Sequence, residues 1–299
     1  MNERNLQDIA SLSRTREIIK KYDLKLKKSL GQNFLTDANI LQKIVEVAGL
    51  YQPANVLEIG PGIGTLTEQL ARMAQQVLAL EIDQRMLPVL KETLSPYPNV
   101  TVVNQDILKA DLKQETIKAF KKYLPLKVVA NLPYYVTTPI LMRLIESELE
   151  IEQIVVMIQK EVAERISAKP GSKAYGSLSV AVQSFWEAHV AFTVPKAVFI
   201  PQPKVNSAVL SLARRETPAV LVAGEKAFFH LIKAAFAMRR KTLWNNLVHA
   251  YGKDQKTQDK LLKALENAKI DPKKRGETLT IQEFATLSNA LAMEILRPF

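Results

Sequence analysis

The 299-residue chain has no cysteine. Disulfides, thiolate zinc sites, iron–sulfur clusters and cysteine nucleophiles are therefore excluded together. Its three histidines, His189, His230 and His249, stand at separations that suit no metal site, and no metal is expected. No uninterrupted apolar run approaches the roughly 18 residues needed to cross a bilayer. The opening stretch MNERNLQDIASLSRTREIIK carries charges throughout and lacks the apolar centre of a signal peptide. A cytoplasmic location without a membrane partner is the expectation. Hydrophobic residues make up 47% and charged residues 24% of the chain, which excludes intrinsic disorder. There is no internal repeat and no low-complexity tract.

What is present in excess is positive charge, 41 Lys and Arg against 30 Asp and Glu. Residues 1–30 carry a net +4, residues 31–217 a net +1 and residues 218–299 a net +6. A nearly neutral body with basic ends fits a polyanion partner, because Lys and Arg at phosphates gain affinity by releasing counterions. A cationic surface that serves only solubility fits equally well on charge alone.

From Asn55 to about Ser211, short apolar runs recur at Val56–Ile59, Val77–Ile82, Val100–Val103, Lys127–Ala130 and Ile154–Ile158. Stretches with helical periodicity, such as Leu66–Met73 and Pro139–Ile145, lie between them. Strands alternating with helices predict βαβ crossovers and a parallel sheet covered on both faces. After Pro170-Gly171 the pattern changes: residues 174–185 read as a helix, and Val190–Val194 and Ala208–Leu212 as strands without a helix between them. These two predict an antiparallel pair at the sheet edge, the closing feature of a class I methyltransferase sheet. Thr217-Pro218 marks a further change, beyond which only helices are expected: Glu225–Met238, Lys241–Val248, Gln258–Ala268 and Ile281–Leu296. The expected architecture is thus α/β, a Rossmann-like domain over 1–217 and a small all-helical domain over 218–299. Residues 1–30 form a basic, mostly helical extension that packs on the core or lies over the site's mouth.

Glu58-Ile59-Gly60-Pro61-Gly62-Ile63-Gly64 follows the first of these strands and precedes a helix. Glycines there let the backbone turn tightly and let a ligand approach without Cβ interference. The spacing is GxGxG, whereas a pyrophosphate-binding dinucleotide fold uses GxGxxG. A nucleoside without phosphates fits better. Glu81 closes the next strand, 17 residues past Gly64, where a carboxylate can accept from both ribose hydroxyls. Asp106 follows the third strand, placed to accept from an adenine amino group. Any one of these carboxylates alone reads as a surface group or helix cap. Their conjunction on successive strand ends reads as an S-adenosyl-L-methionine site, since ligands of open α/β sheets sit outside the strands' carboxyl ends.

Asn131-Leu132-Pro133-Tyr134 follows the fourth strand and resembles the Asn/Asp-Pro-Pro-Tyr signature of amino-methyltransferases. The exocyclic nitrogen of adenine is a poor nucleophile because its lone pair is delocalised into the ring. Acceptors on its N–H groups, from the Asn131 side chain and the carbonyl of Leu132 or Pro133, would localise that lone pair for in-line attack. Tyr134 can stack on the extruded base, worth roughly 1–3 kcal/mol per base. Phe199, on the Pro-stiffened stretch FIPQPK, is a candidate for the opposite wall of the base pocket; packing beside its prolines is the alternative. Arg239-Arg240-Lys241 and Lys273-Lys274-Arg275 are clusters that could grip several phosphates or end a solvated helix.

Taken together, the motifs are similar to those of the KsgA-type ribosomal RNA adenine dimethyltransferases. KSLGQNFL, LEIGPGIGTLT, QDIL, NLPYYVTTPI, MIQKEVAERI, AYGSLSV, FIPQPKVNSAV, FAMRRKTLWNNL and KKRGETL occur in that family's order, from about residue 25 to 290. The resemblance implies transfer of four methyl groups to two adjacent adenosines in the 3′-terminal hairpin of 16S rRNA, within the small ribosomal subunit. It also implies a late role in that subunit's assembly and a monomer. It implies that Asn33, Leu35, Gly60, Glu81, Asp106 and Asn131 bind the cofactor, with Asn131 also at the target amine, and that Tyr134 and Phe199 sandwich the base. The antibiotic-resistance dimethyltransferases of large-subunit rRNA share the fold, but their tetrapeptide usually carries Ile where this chain has Leu132. An RNA-binding assembly factor with dispensable methylation is a further reading. A DNA adenine methylase would need a target-recognition insertion, and none lies between the core motifs.

Overall fold

The computed structural model describes residues 8–24 and 33–295. Residues 28–32, the start of the KSLGQNFL motif, lie outside them. The chain begins with helix α1 (Leu12–Lys21), strand β1 (Phe34–Leu35) and helix α2 (Ala38–Val47). Alternating elements follow: β2 (Asn55–Ile59), α3 (Thr65–Met73), β3 (Gln76–Glu81), α4 (Met86–Thr93), β4 (Val100–Asn104), α5 (Leu112–Ala119), β5 (Leu126–Asn131), α6 (Thr137–Ile145) and β6 (Ile151–Gln159). Then come α7 (Lys160–Ile166), α8 (Ser177–Phe185), β7 (Trp186–Val194), β8 (Phe199–Ile200) and β9 (Ser207–Arg214). Helices α9 (Glu225–Ala235), α10 (Leu243–Tyr251), α11 (Gln255–Asn267) and α12 (Ile281–Ile295) close the chain. No helix among the described residues is long and apolar enough to cross a membrane.

Seven strands form one sheet in the order β4-β3-β2-β5-β6-β9-β7. The five strands from β2 to β6 pair in parallel, and β9 joins β6 antiparallel, from Gln153 opposite Ala213 to Gln159 opposite Ser207. The last two strands are those expected at the edge, with β7 outermost. Strand order reverses between β2 and β5, so the chain leaves these neighbours at a topological switch point. Both strands are apolar and buried along nearly their whole length, as helices on both faces require. Lys127 is the cationic exception in β5. Its ammonium donates to the carbonyls of Ala48 (2.8 Å) and Gly49 (3.2 Å), at the negative end of α2.

The chain divides into two compact units, 1–163 with 189–213 and 164–188 with 214–299. The second unit therefore takes in α8 as well as the four C-terminal helices, rather than starting at Thr217-Pro218. The cause is packing: α8 lies against α9 and α12, and Phe185 of α8 meets the rings of Phe228 and Phe229. Helix α9 is shorter than its periodicity suggests, ending at Ala235, and α10 is shifted along the chain, starting at Leu243 and ending at Tyr251. Asn246 holds the turn between them, donating from Nδ2 to the carbonyl of Ala235 and accepting at Oδ1 from the N–H of Met238.

Of the two expectations for the N-terminal extension, α1 takes the first and packs on the core of its unit. Ile9, Ile18 and Leu24 join Phe34, Ile63, Met86, Val89, Leu90 and Leu94 in one buried cluster. Glu68 of α3 anchors it, accepting from the backbone N–H of Ile9 and the hydroxyl of Tyr97, both at 2.9 Å. Arg72 bridges Glu68 (3.3 Å) and Asp8 (2.7 Å). Removing this buried carboxylate leaves the N–H of Ile9 and the hydroxyl of Tyr97 without their acceptor, while Arg72 keeps Asp8. Glu68→Ala is expected to lower stability by about 2–3 kcal/mol, read as a lower urea midpoint at unchanged slope.

Candidate active site

The groove opens at the carboxyl ends of β2, β3, β4 and β5. Gly60, Gly62 and Gly64 all have positive φ (69°, 59° and 93°), so the loop after β2 is built from conformations that other residues rarely adopt. Gly60 is the position that faces the groove, since a Cβ there would meet nothing within 4 Å. At Gly62 a Cβ would approach the Phe34 ring to 3.0 Å, so this glycine lets the aromatic lie flat on the loop.

Two adjoining cavities make up the groove and share Gly60, Ile82, Pro133 and Tyr135. The first is lined by Asn33, Glu58, Glu81 and Asn131; the second, of about 240 Å³, by Asp106, Ile107, Leu108 and Ile140. Glu81 is nearly fully buried. Its Oε2 accepts from the N–H of Gly62 at 3.1 Å and its Oε1 from that of Asp83 at 2.7 Å. Burial pushes its carboxyl upward and these N–H groups pull it back. Each oxygen keeps a lone pair for a hydroxyl. Asp106 accepts from the N–H of Leu108 at Oδ1, which aims the carboxylate across the second cavity's mouth.

Asn131 ends β5. Its Nδ2 donates to the carbonyl of Asn33 at 3.2 Å, which fixes the amide and turns Oδ1 away from that contact. Leu132 is anchored by its own N–H on the carbonyl of Met157 at 3.1 Å. The carbonyl of Pro133 already accepts from the N–H of Val136 and the hydroxyl of Thr137. That of Leu132 accepts from no described residue, so of the two carbonyls in the tetrapeptide it is the one left open. The hydroxyls of Tyr134 and Ser207 are 2.6 Å apart, and the half-buried phenol is held above its ordinary range by burial.

The matching family model is that of the ribosomal RNA adenine dimethylases, aligned over residues 23–287. The chain belongs to this family. Among curated relatives, "Ribosomal RNA small subunit methyltransferase A" of Enterococcus faecalis is 64% identical over 95% of this chain and 97% of its own. Its namesake from Streptococcus sanguinis is 57% identical over 96% and 99%. Among solved structures, a dimethyladenosine transferase from Plasmodium falciparum superposes with a TM-score of 0.67 at 27% identity, covering 85% of this chain and 95% of that one. The 23S rRNA methyltransferase ErmE superposes at 0.60 and 28% identity, covering 86% and 98%.

As an rRNA adenine dimethylase the chain is S-adenosylmethionine-dependent, and the groove fits that donor. A long cleft, a loop open at Gly60, and carboxylates at two successive strand ends suit a nucleoside that carries no phosphate. Two expected ligands are placed otherwise. Leu35 is 1% exposed, packs in the core and lines neither cavity of the groove. Phe199 is 3% exposed and pairs with Leu35 across β1 and β8. It belongs to the same hydrophobic cluster and does not line the groove, because the cross-strand pairing turns both side chains into the core. From the same motif the buried Ser207 holds the hydroxyl of Tyr134, a residue that does line the groove.

In the second unit, Arg239, Arg240 and Lys241 lie in the turn between α9 and α10 rather than on a helix. This turn meets the loop of Lys273, Lys274 and Arg275, since the N–H of Leu243 donates to the carbonyl of Lys274 (2.7 Å) and that of Trp244 to Pro272 (3.1 Å). Two of the six cations are engaged, Arg239 with Glu277 and Lys274 with Glu283.

Sequence reasoning assigned no role to Glu58. It is 1% exposed, lines the first cavity and leaves Oε2 buried without a hydrogen-bond partner. Burial pushes its carboxyl to about 8, opposed by the Thr67 hydroxyl and helped by nearby Glu81. The folded protein thus binds a proton more tightly here than the unfolded chain, so this group's contribution is present at low pH and lost as pH rises from about 4.5 through 8. Glu58→Gln, which mimics the neutral acid, is expected to show a melting temperature that gains on the ligand-free wild type between pH 5 and pH 8.

Proposed function

We propose that this chain dimethylates two adjacent adenosines in the 3′-terminal hairpin of 16S rRNA, acting on the small ribosomal subunit late in its assembly, as a monomer in the cytoplasm. The observation that carries the reading is the open pair of acceptors at the end of β5: the Asn131 amide, turned by its bond to Asn33, and the unengaged carbonyl of Leu132. When bound in the groove, S-adenosylmethionine supplies an electrophilic methyl group on a cationic sulfur.

Glu81 would accept from the ribose hydroxyls of that donor and Asp106 from its adenine amino group, while Gly60 would let its chain pass close to the backbone. Asn33 completes the wall of the first cavity. Glu58 lines the same cavity with a buried Oε2 that has no hydrogen-bond partner among the described residues. Tyr134, tethered through Ser207, offers its ring to the extruded adenine.

Asn131 Oδ1 and the Leu132 carbonyl each accept one N–H of the target amine. Both acceptors pull electron density toward nitrogen and out of conjugation, and their hold strengthens as positive charge develops on it. A donor held by these residues would supply the methyl group to which the nitrogen lone pair bonds, and would leave with the electron pair of the bond it gives up. The methylated nitrogen then gives its proton to water, so no strong general base is needed. A second cycle uses the remaining N–H, for which one acceptor suffices.

Small-subunit rather than large-subunit RNA is favoured by identity of 64% to a small-subunit relative over nearly the full chain, against 28% to ErmE. Leu132 in the tetrapeptide points the same way. In the second unit Arg240, Lys241, Lys273 and Arg275 are exposed and have no ionic partner among the described residues, which suits phosphate contacts. Arg239 and Lys274, each already paired, shape the turn and loop that carry the others.

Asn131→Ala is expected to keep binding small subunits while methyl transfer falls at least ~10²-fold, the scale for one lost transition-state hydrogen bond. Transfer of radiolabelled methyl to subunits from cells lacking the protein measures this. Undiminished turnover would remove Asn131 from the reaction, and a chain that binds but never methylates would be an assembly factor alone.

A further inference from the structure

The turn at Pro170-Gly171 marks a change of pattern in the sequence, and no role in the reaction attaches to it. It lies in the second unit, in the loop over residues 167–176 between α7 and α8. Gly171 takes φ 78°, a conformation open to glycine, and its N–H donates to the carbonyl of Glu277 at 3.0 Å. The Arg239 guanidinium bridges the same two segments, with Nη2 donating to the carbonyl of Lys173 at 2.5 Å and Nε to the Glu277 carboxylate at 3.3 Å. Tyr175 roots the loop in the helical core. It is 2% exposed, its ring edge meets Phe236 at 6.3 Å, and Phe236 stacks on Phe284.

Three segments far apart in sequence are thereby held together: the 167–176 loop, the 239–241 turn and the 271–277 loop. Lys169 and Lys173 are exposed on the first of them. Neither has an ionic partner among the described residues. The acidic side chains of the other two segments are used locally, Glu277 by Arg239 and Asp271 by the N–H of Lys273. What remains outward is a set of cations on three arms that outnumber the one exposed carboxylate among them without an ionic partner, Asp271. Such a set fits the phosphates of a folded RNA better than a single acidic side chain, because each arm reaches a different stretch of backbone.

Building on the RNA substrate proposed above, we propose that the 167–176 loop is a third arm of the RNA-binding face, with Lys169 and Lys173 as its phosphate contacts. The buried Tyr175 and the Arg239 bridge hold this arm at a fixed place, so its two cations lose little freedom when RNA binds. Arg239 then acts as a positioning residue that ties the arm to the turn and leaves phosphate contact to Arg240 and Lys241.

The test measures binding of the full-length protein to small ribosomal subunits from cells lacking it, across a salt series. The K169Q/K173Q double variant is compared with wild type, with an R240Q/K241Q reference and with K169R/K173R. Loss of two phosphate contacts is expected to flatten the slope of log K against log salt by about 1.4–1.8 and to weaken binding about tenfold or more at 0.15 M salt. K169R/K173R should keep the wild-type slope. Melting temperature and S-adenosylhomocysteine affinity should match wild type in all three variants. A wild-type slope in K169Q/K173Q overturns the assignment, as does weaker binding with no change of slope, which would mean a non-ionic contact. If only the reference flattens, the RNA face stands without this arm; if neither flattens, the whole face falls with it.

Discussion

The register between β2 and β5 is the constraint on which the site depends. Asn55 lies opposite Leu126 and Glu58 opposite Val129, so both strands run out at the same level and point their next residues into the same space. Those next residues are the glycine loop on one strand and Asn131-Leu132 on the other. Because side chains alternate along a strand, a slip of one residue would turn Asn131 to the opposite face and bury an apolar neighbour's place with an amide. The hydrophobic filling of both strands forbids that slip: Val56, Leu57, Val128 and Val129 are fully buried. Packing energy spent far from any ligand thus fixes the alignment of two polar groups at the groove.

Two charged residues sit inside these strands, and their different treatment separates structure from function. Lys127 is surrounded by acceptors at the end of α2, so its burial is compensated within its own unit. Glu58 has no such shell, and its upward-shifted carboxyl is the expected response of an acid left in a low-dielectric space. One oxygen of Glu58 is left buried without a hydrogen-bond partner. Its place on the wall of a groove that fits a cationic donor accounts for its presence, in the same way that strain gathers at sites where a ligand supplies the missing partner.

Much of this was legible in the sequence because it rests on local chemistry. Unbroken apolar runs identify strands covered on both faces, and a carboxylate or amide that ends such a run must fall on the ligand side of an open sheet. Glu81, Asp106 and Asn131 were recoverable in that way. Phe199 and Leu35 were not, because what decides their orientation is a two-residue strand pair joining positions more than 160 residues apart. An aromatic between prolines looks the same whether its ring faces a ligand or the core. Glu58 was hidden for the opposite reason: an acid two residues before Gly60 resembles Glu81, and only the hydrogen bonds of the folded chain show that Glu81 has backbone donors while Glu58 keeps an unpartnered oxygen. The break between the helices at Arg239 was legible, but its width was not, because the side chain that holds the turn, Asn246, acts from the next helix.

The basic surface follows a similar division of labour. In a run of adjacent cations, charge alone does not say which members serve a partner. Arg239 can satisfy its planar fork on a carboxylate and a backbone carbonyl at once, a geometry suited to joining segments. Arg240 and Lys241, one and two residues on, have no such neighbours and keep their full charge outward. An ion pair at one position therefore sets where the unpaired cations stand. A charge cluster with too many internal partners would be rigid but neutral, and one with none would be charged but loose. Exposed pairs such as these contribute little to stability, so their value here is geometric: they hold long, flexible side chains on a defined frame, which lowers the ordering cost when polyanionic backbone is bound.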